Sequence, residues 1–212
     1  MQLARKIAVS VILLGTCMGA QATLVTSDPG TGSTTVFTAT GNNGFGDPGP
    51  VVVDGITWTG SPQVTYGDAG YGLGSNGSWN WGWVATNNGD GSITADLGGG
   101  FSFVGGLINY SVQGGSPDGS DPLIQALAAD MSVLESYNLW TDAPIVTAGS
   151  NGAEFRGISR ASSDIYYLRL VGAYSIIHSL EVGAAAVPEP ATLALMGLGI
   201  AGLGFARKKT QA

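Results

Sequence analysis

Three tryptophans spaced two residues apart, Trp79, Trp81 and Trp83, are the side chains in this sequence with the clearest chemical use. Alternate residues of a strand leave on the same face, so an extended Ser78 to Thr86 would project all three indoles together, with Asn80 and Gly82 opposite. Exposed, such a row is a flat apolar platform with N–H donors, suited to stacking on sugar rings. Buried, it is the inner face of a sandwich, and burial is the commoner fate of tryptophan. Aspartates in Gly- and Asn-rich turns are candidate calcium ligands: Asp47, Asp90, and Asp118 with Asp121. None lies in an EF-hand or a glycine–aspartate nonapeptide repeat, and Asp suits turns for backbone reasons alone. The expectation is therefore no metal and no other cofactor. His178 is the only histidine and reads as a partly buried, hydrogen-bonded imidazole on the last strand.

Catalytic patterns are missing. No serine sits in Gly-x-Ser-x-Gly, and no segment marks the carboxylate pair that a glycosidase needs. The chain is not expected to be an enzyme, with a secreted glycan hydrolase as the residual alternative. Glu154, Arg156, Arg160 and Arg169 read as ion-pairing or turn-fixing residues.

Strands must position these side chains. Short β-type runs alternate with turn clusters along the chain, the pattern of a sandwich or barrel. Runs are predicted at 34–40, at 51–53 and 56–59 about the Asp54-Gly55 turn, and at 63–66. Others are predicted at 79–86, 92–97, 101–110, 154–159, 165–171 and 174–182. Residues 121–139 fit either a helix capped at Asp121-Pro122 or a hairpin of 123–127 and 133–139; the neighbouring strands favour the hairpin. Glycine is abundant, 35 of 212 residues, against a usual ~7 %. With 44 % apolar and only 11 % charged residues, the chain reads as a folded, turn-rich, all-β domain.

Both ends look like targeting segments. Arg5 and Lys6 precede an apolar stretch, and Ala20-Gln21-Ala22 is the small-x-small pattern of signal peptidase, which places cleavage before Thr23. A lipobox ending at Cys17 is the competing reading, with Thr16 a poor residue before the cysteine. The last 26 residues begin Val187-Pro188-Glu189-Pro190, continue through an uncharged run of 16, and stop at Arg207-Lys208-Lys209. The two prolines exclude a helix interior, whereas Pro190 suits the first helical turn. As a helix the run spans ~24 Å, short of the ~30 Å bilayer core. The basic cluster sets the tail end on the cytoplasmic side. A signal that is read and then cut fits this combination better than a permanent anchor does.

Those C-terminal residues resemble the PEP-CTERM sorting signal of bacterial exported proteins, with the proline–glutamate–proline motif, membrane segment and basic terminus all present. The resemblance implies recognition and tail removal by exosortase, a membrane-embedded cysteine transpeptidase. It also implies a host that makes extracellular polysaccharide. Ser75-Asn76-Gly77-Ser78-Trp79, 133–137 and 154–160 are similar to an exported domain that recurs in such proteins. That domain is similar in outline to the jelly-roll sandwiches of carbohydrate-binding modules. An aspartate pair often found on their last strand is replaced here by His178-Ser179.

The expected organisation is a secretory signal peptide at 1–22, an exported β-sandwich of jelly-roll type at 23–183, and the sorting signal at 184–212. A signal helix and a single membrane helix (191–206) would flank the sandwich. Cleavage at both ends would leave Arg156, Arg160 and Arg169 against fourteen acidic residues and no cysteine. So acidic a domain would not bind nucleic acid through phosphates. The expected role is a non-catalytic surface or matrix protein, associated with extracellular polysaccharide or biofilm. Its expected partners are signal peptidase, exosortase, the inner membrane in passing, and polysaccharide. A carbohydrate-binding module using the tryptophans is the alternative.

Overall fold

A computed structural model describes residues 22–41, 46–113, 116–117 and 119–184. Eighteen strands and no helix are found among them. The first eight are β1 (Thr23–Val25), β2 (Ser33–Val36), β3 (Val51–Val53), β4 (Ile56–Ser61), β5 (Val64–Gly67), β6 (Tyr71–Gly72), β7 (Ser78–Trp79) and β8 (Trp83–Thr86). Then come β9 (Ser92–Phe101), β10 (Phe103–Asn109), β11 (Val112–Gln113), β12 (Ser116–Pro117), β13 (Leu123–Leu127) and β14 (Val133–Asn138). The last are β15 (Glu154–Ser159), β16 (Ile165–Val171), β17 (Ile176–Ile177) and β18 (Ser179–Gly183).

The larger sheet runs β1-β15-β10-β17-β8-β5, with β18 also pairing β10 and then β2. The second runs β14-β13-β16-β9-β4-β3. From β8 onward the chain passes repeatedly from one sheet to the other: β8 to β9, β9 to β10, β14 to β15, β15 to β16 and β16 to β17. Local hairpins alone would not build this. The result is an all-β sandwich consistent with a jelly-roll-like domain. Val84, Val104, Ile108, Ile158 and Leu180 from the first sheet meet Trp58, Ile93, Ile124, Leu168 and Leu170 from the second in one core. Alternation explains the choice: in β10, Val104 and Ile108 face the core, with Gly105 and Leu107 between them in register.

Several elements fall where the residues predict them. Val51 pairs with Trp58 around Asp54-Gly55, both at positive φ as a tight hairpin requires. The hairpin reading of 121–139 is correct, with Leu123 opposite Asn138 and a register shift beside Leu127. Three expected strands need correction. The strand expected to reach Thr40 leaves the sheet after Val36, because the Asp54 carboxylate takes the N–H groups of Thr38 (2.7 Å) and Ala39 (3.2 Å). The strand expected over 79–86 is interrupted at 80–82. Gly67 pairs with Trp83 and Tyr71 with Trp79, so one ladder resumes in register on both sides of the gap. The last strand is broken by a bulge at His178: Gly105 faces Glu181 and Ile108 faces Ile177, four steps against three. The bulge ends the even–odd alternation read over 174–182, so Ile177 and Leu180 both enter the main core.

Candidate functional site

The tryptophan row is split by that interruption. Trp79 and Trp83 are 1 % exposed and pack with Leu73, Ala85 and Ile176 in a second, smaller core. Trp81 is 55 % exposed. The structure thus holds neither a platform of three indoles nor a wholly buried row. Trp83 lies against Tyr71 at 4.8 Å between ring centroids, and its Nε1–H donates to Ala69 O at 2.9 Å. Trp79 Nε1 is buried without a hydrogen-bond partner among the described residues.

Trp81 stands on a braced ledge. Its ring meets Trp79 edge-on at 5.7 Å and His178 at 5.8 Å, while His178 also meets Trp79 at 5.1 Å. The bulge in the last strand places His178 there. Its Nδ1 lies 2.6 Å from Gly82 O. A carbonyl only accepts, so Nδ1 carries a proton in this contact. Gly82 is required at its position, since a Cβ there would sit 2.0 Å from Phe37 O. Asn80 N–H donates to Asn151 Oδ1 at 2.6 Å, which ties the ledge to the segment before β15.

That segment, residues 139–153, is held by buried polar groups. Asn76, 3 % exposed, has its Nδ2 within 3.1 Å of Asn109 Oδ1, Tyr110 O and Ile145 O, while its Oδ1 accepts from Thr147 N. Asn109 donates in turn to Gly152 O (2.6 Å) and Thr147 Oγ1 (2.9 Å). Arg156, 4 % exposed, donates to the carbonyls of Ala143, Pro144 and Phe155 and pairs with Glu154 at 2.7 Å. The turn around Asn76 is closed by Gly77 at φ +88°, where a Cβ would lie 1.9 Å from Gly149 O. Asn76, Asn109, Thr147 and Asn151 were missed in the sequence because asparagine beside glycine reads as an ordinary turn; nothing local tells a buried amide from an exposed one. Arg156 and Arg160 were legible, being rare cations in an acidic chain. Arg160 grips Asp164 at 2.8 and 3.0 Å and also pairs with Glu135. The hydrogen bonds from Arg160, ahead of its charge, hold the Asp164 carboxyl below its ordinary range.

The calcium candidates are dispersed. Asp47 Oδ1 accepts from Gly49 N at 2.8 Å, Asp121 Oδ2 accepts from Asn138 Nδ2 at 2.9 Å, and Asp90 is exposed. Among the described residues no three His, Cys, Asp or Glu side chains stand close enough to hold a metal ion. Asp118 lies outside the described residues, as do Ala20, the Val187–Pro190 motif and the Arg207–Lys209 cluster. Thr23 begins β1 and pairs with Ser159, while Ala22 is half-buried just before it. One buried carboxyl stands apart from these: Glu181 accepts from Gly32 N at 3.0 Å. Burial, and then a hydrogen bond shared with Asp28, raises it above the usual range.

Fold and site together define an all-β sandwich with a buried polar junction and an exposed aromatic ledge. The family model described as the PEP-CTERM protein-sorting motif matches residues 186–208. The chain carries this sorting motif, the mark of an exported protein transiently anchored by its C-terminus and processed by exosortase. No curated protein matches the chain. Among solved structures, the lectin domain of Lectinolysin complexed with Lewis B antigen and a mutant of the lectin binding domain complexed with Lewis b are similar at 14 % identity. Each comparison covers 79 % of this chain and 94 % of the other, with a TM-score of 0.30.

Proposed function

We propose that this chain is a non-catalytic surface or matrix protein, exported with a signal peptide cut before Thr23 and delivered by exosortase to extracellular polysaccharide. The observation that carries the reading is the sorting motif at 186–208. The domain it delivers spans 23–183, and its composition suits an exterior setting: 8 basic against 15 acidic residues over the whole chain, with the basic ones concentrated in the two ends to be removed. Intact mass spectrometry of the protein from its host, with and without the exosortase, tests it. Loss of the tail near Pro188 only when exosortase is present is the expected result; a tail retained in both strains would sink the sorting interpretation.

A carbohydrate-binding role is the second reading, favoured by one observation: the exposed, braced indole of Trp81.

A further inference from the structure

We infer that the Trp81 ledge is a single-indole binding site for a neutral pyranose with an apolar ring face, such as a β-1,4-linked unit of an extracellular glycan. Trp81 keeps 55 % of its surface in solvent despite touching two aromatic rings. That leaves on the order of 100 Å² of indole unsatisfied. The exposure is not that of a loose side chain. The loop under it is pinned by Asn80 N–H to Asn151, by His178 to Gly82 O, and by the close approach of Gly82 to Phe37 O. The buried Trp79 and Trp83 fix it on either side. An indole held in place before its ligand arrives spends little entropy on binding, which is what a weak, repetitive polymer ligand requires.

The chemistry around the ring selects the occupant. The side chains that brace the ledge are the Asn151 amide, which accepts from Asn80 N–H, and the His178 imidazole. An amide and an imidazole are polar groups of the kind that exchange hydrogen bonds with sugar hydroxyls. A chain with net charge −7 would repel an anionic polymer, so a neutral glycan fits better. An all-equatorial pyranose carries its axial C–H bonds on both faces of the ring, and such an apolar face matches an indole. The inference rests on the export reading only for where such a glycan would be met.

The processed protein, recovered from its host and checked by intact mass, is titrated with cellotetraose and chitotetraose by calorimetry, with tryptophan emission recorded in parallel. Binding of at least one sugar with a change in emission is expected. Trp81→Ala should weaken it by about tenfold or more, the scale of one lost stacking contact, while Trp81→Phe should retain part of it. Absence of binding to both sugars, or binding that Trp81→Ala leaves unchanged, would overturn the inference even if the tail is correctly removed. Self-association that disappears in Trp81→Ala would also overturn it, by giving the indole to a second copy. A retained tail would count against the sorting interpretation alone.

Discussion

Two regions outside the main core solve the same problem in opposite ways. At the junction of Asn76, Asn109 and Arg156, polar side chains are buried and find partners in main-chain carbonyls of residues 139–153. At the ledge, apolar side chains dominate, yet one indole is left in solvent and another has a buried N–H unpaired among the described residues. The junction is built for order, since a buried amide short of partners is costly and each satisfied one fixes a direction. The ledge has no such network of its own. Besides the contacts of His178 and Gly82, it is tied to the junction through Asn151, whose side chain holds the main chain of Asn80. A stable region thus orients an exposed one.

The largest effect should separate buried from exposed tryptophan. Trp83→Ala removes a ring that is 1 % exposed, its contact with Tyr71 and its bond to Ala69 O. A loss of about 3–5 kcal/mol in chemical denaturation is expected. Trp81→Ala, two residues earlier, should change stability by no more than about 0.5 kcal/mol. Equal losses would mean that Trp81 is part of the packing, and the ledge would lose its distinct character.

Asn76→Ala comes next. It strips the acceptor of Thr147 N and the donor that reaches Ile145 O, all in a buried site. The expected cost is about 2–3 kcal/mol, with faster amide exchange across 139–153 than in β10. Uniform exchange over the whole sandwich would show that the junction is inseparable from the core rather than a local clamp.

How much of this could be read in advance follows from the range of each cause. The tight turn at Asp54-Gly55 and the hairpin of β13 and β14 depend on neighbours in sequence, and they were legible. The break at His178 was not, because it arises where β18 must pair with both β10 and β2 at a register one step off from β17. Nor was the separate fate of Trp81: spacing of two predicts one face only if the strand runs unbroken, and Gly82 passing over Phe37 O interrupts it. The arginine clamp was half legible. Scarcity of cations marked Arg156 as an ion-pairing residue, but its carbonyl partners 12 and 13 residues away could not be read from the sequence.

The smallest expected effect probes the link between the two regions. Asn151 sits at φ +60°, a conformation that glycine adopts at no cost, so Asn151→Gly keeps the backbone and removes only the acceptor for Asn80 N–H. That bond is exposed, and its loss should lower stability by no more than about 0.5 kcal/mol. The indole of Trp81 should respond far more. Of the five tryptophan indole N–H signals, Trp81 alone should show a lower NMR order parameter, while Trp58 and Trp83 stay rigid in their cores. If Trp81 keeps its order, His178 and Gly82 suffice to hold the ledge, and the junction orients nothing beyond its own segment.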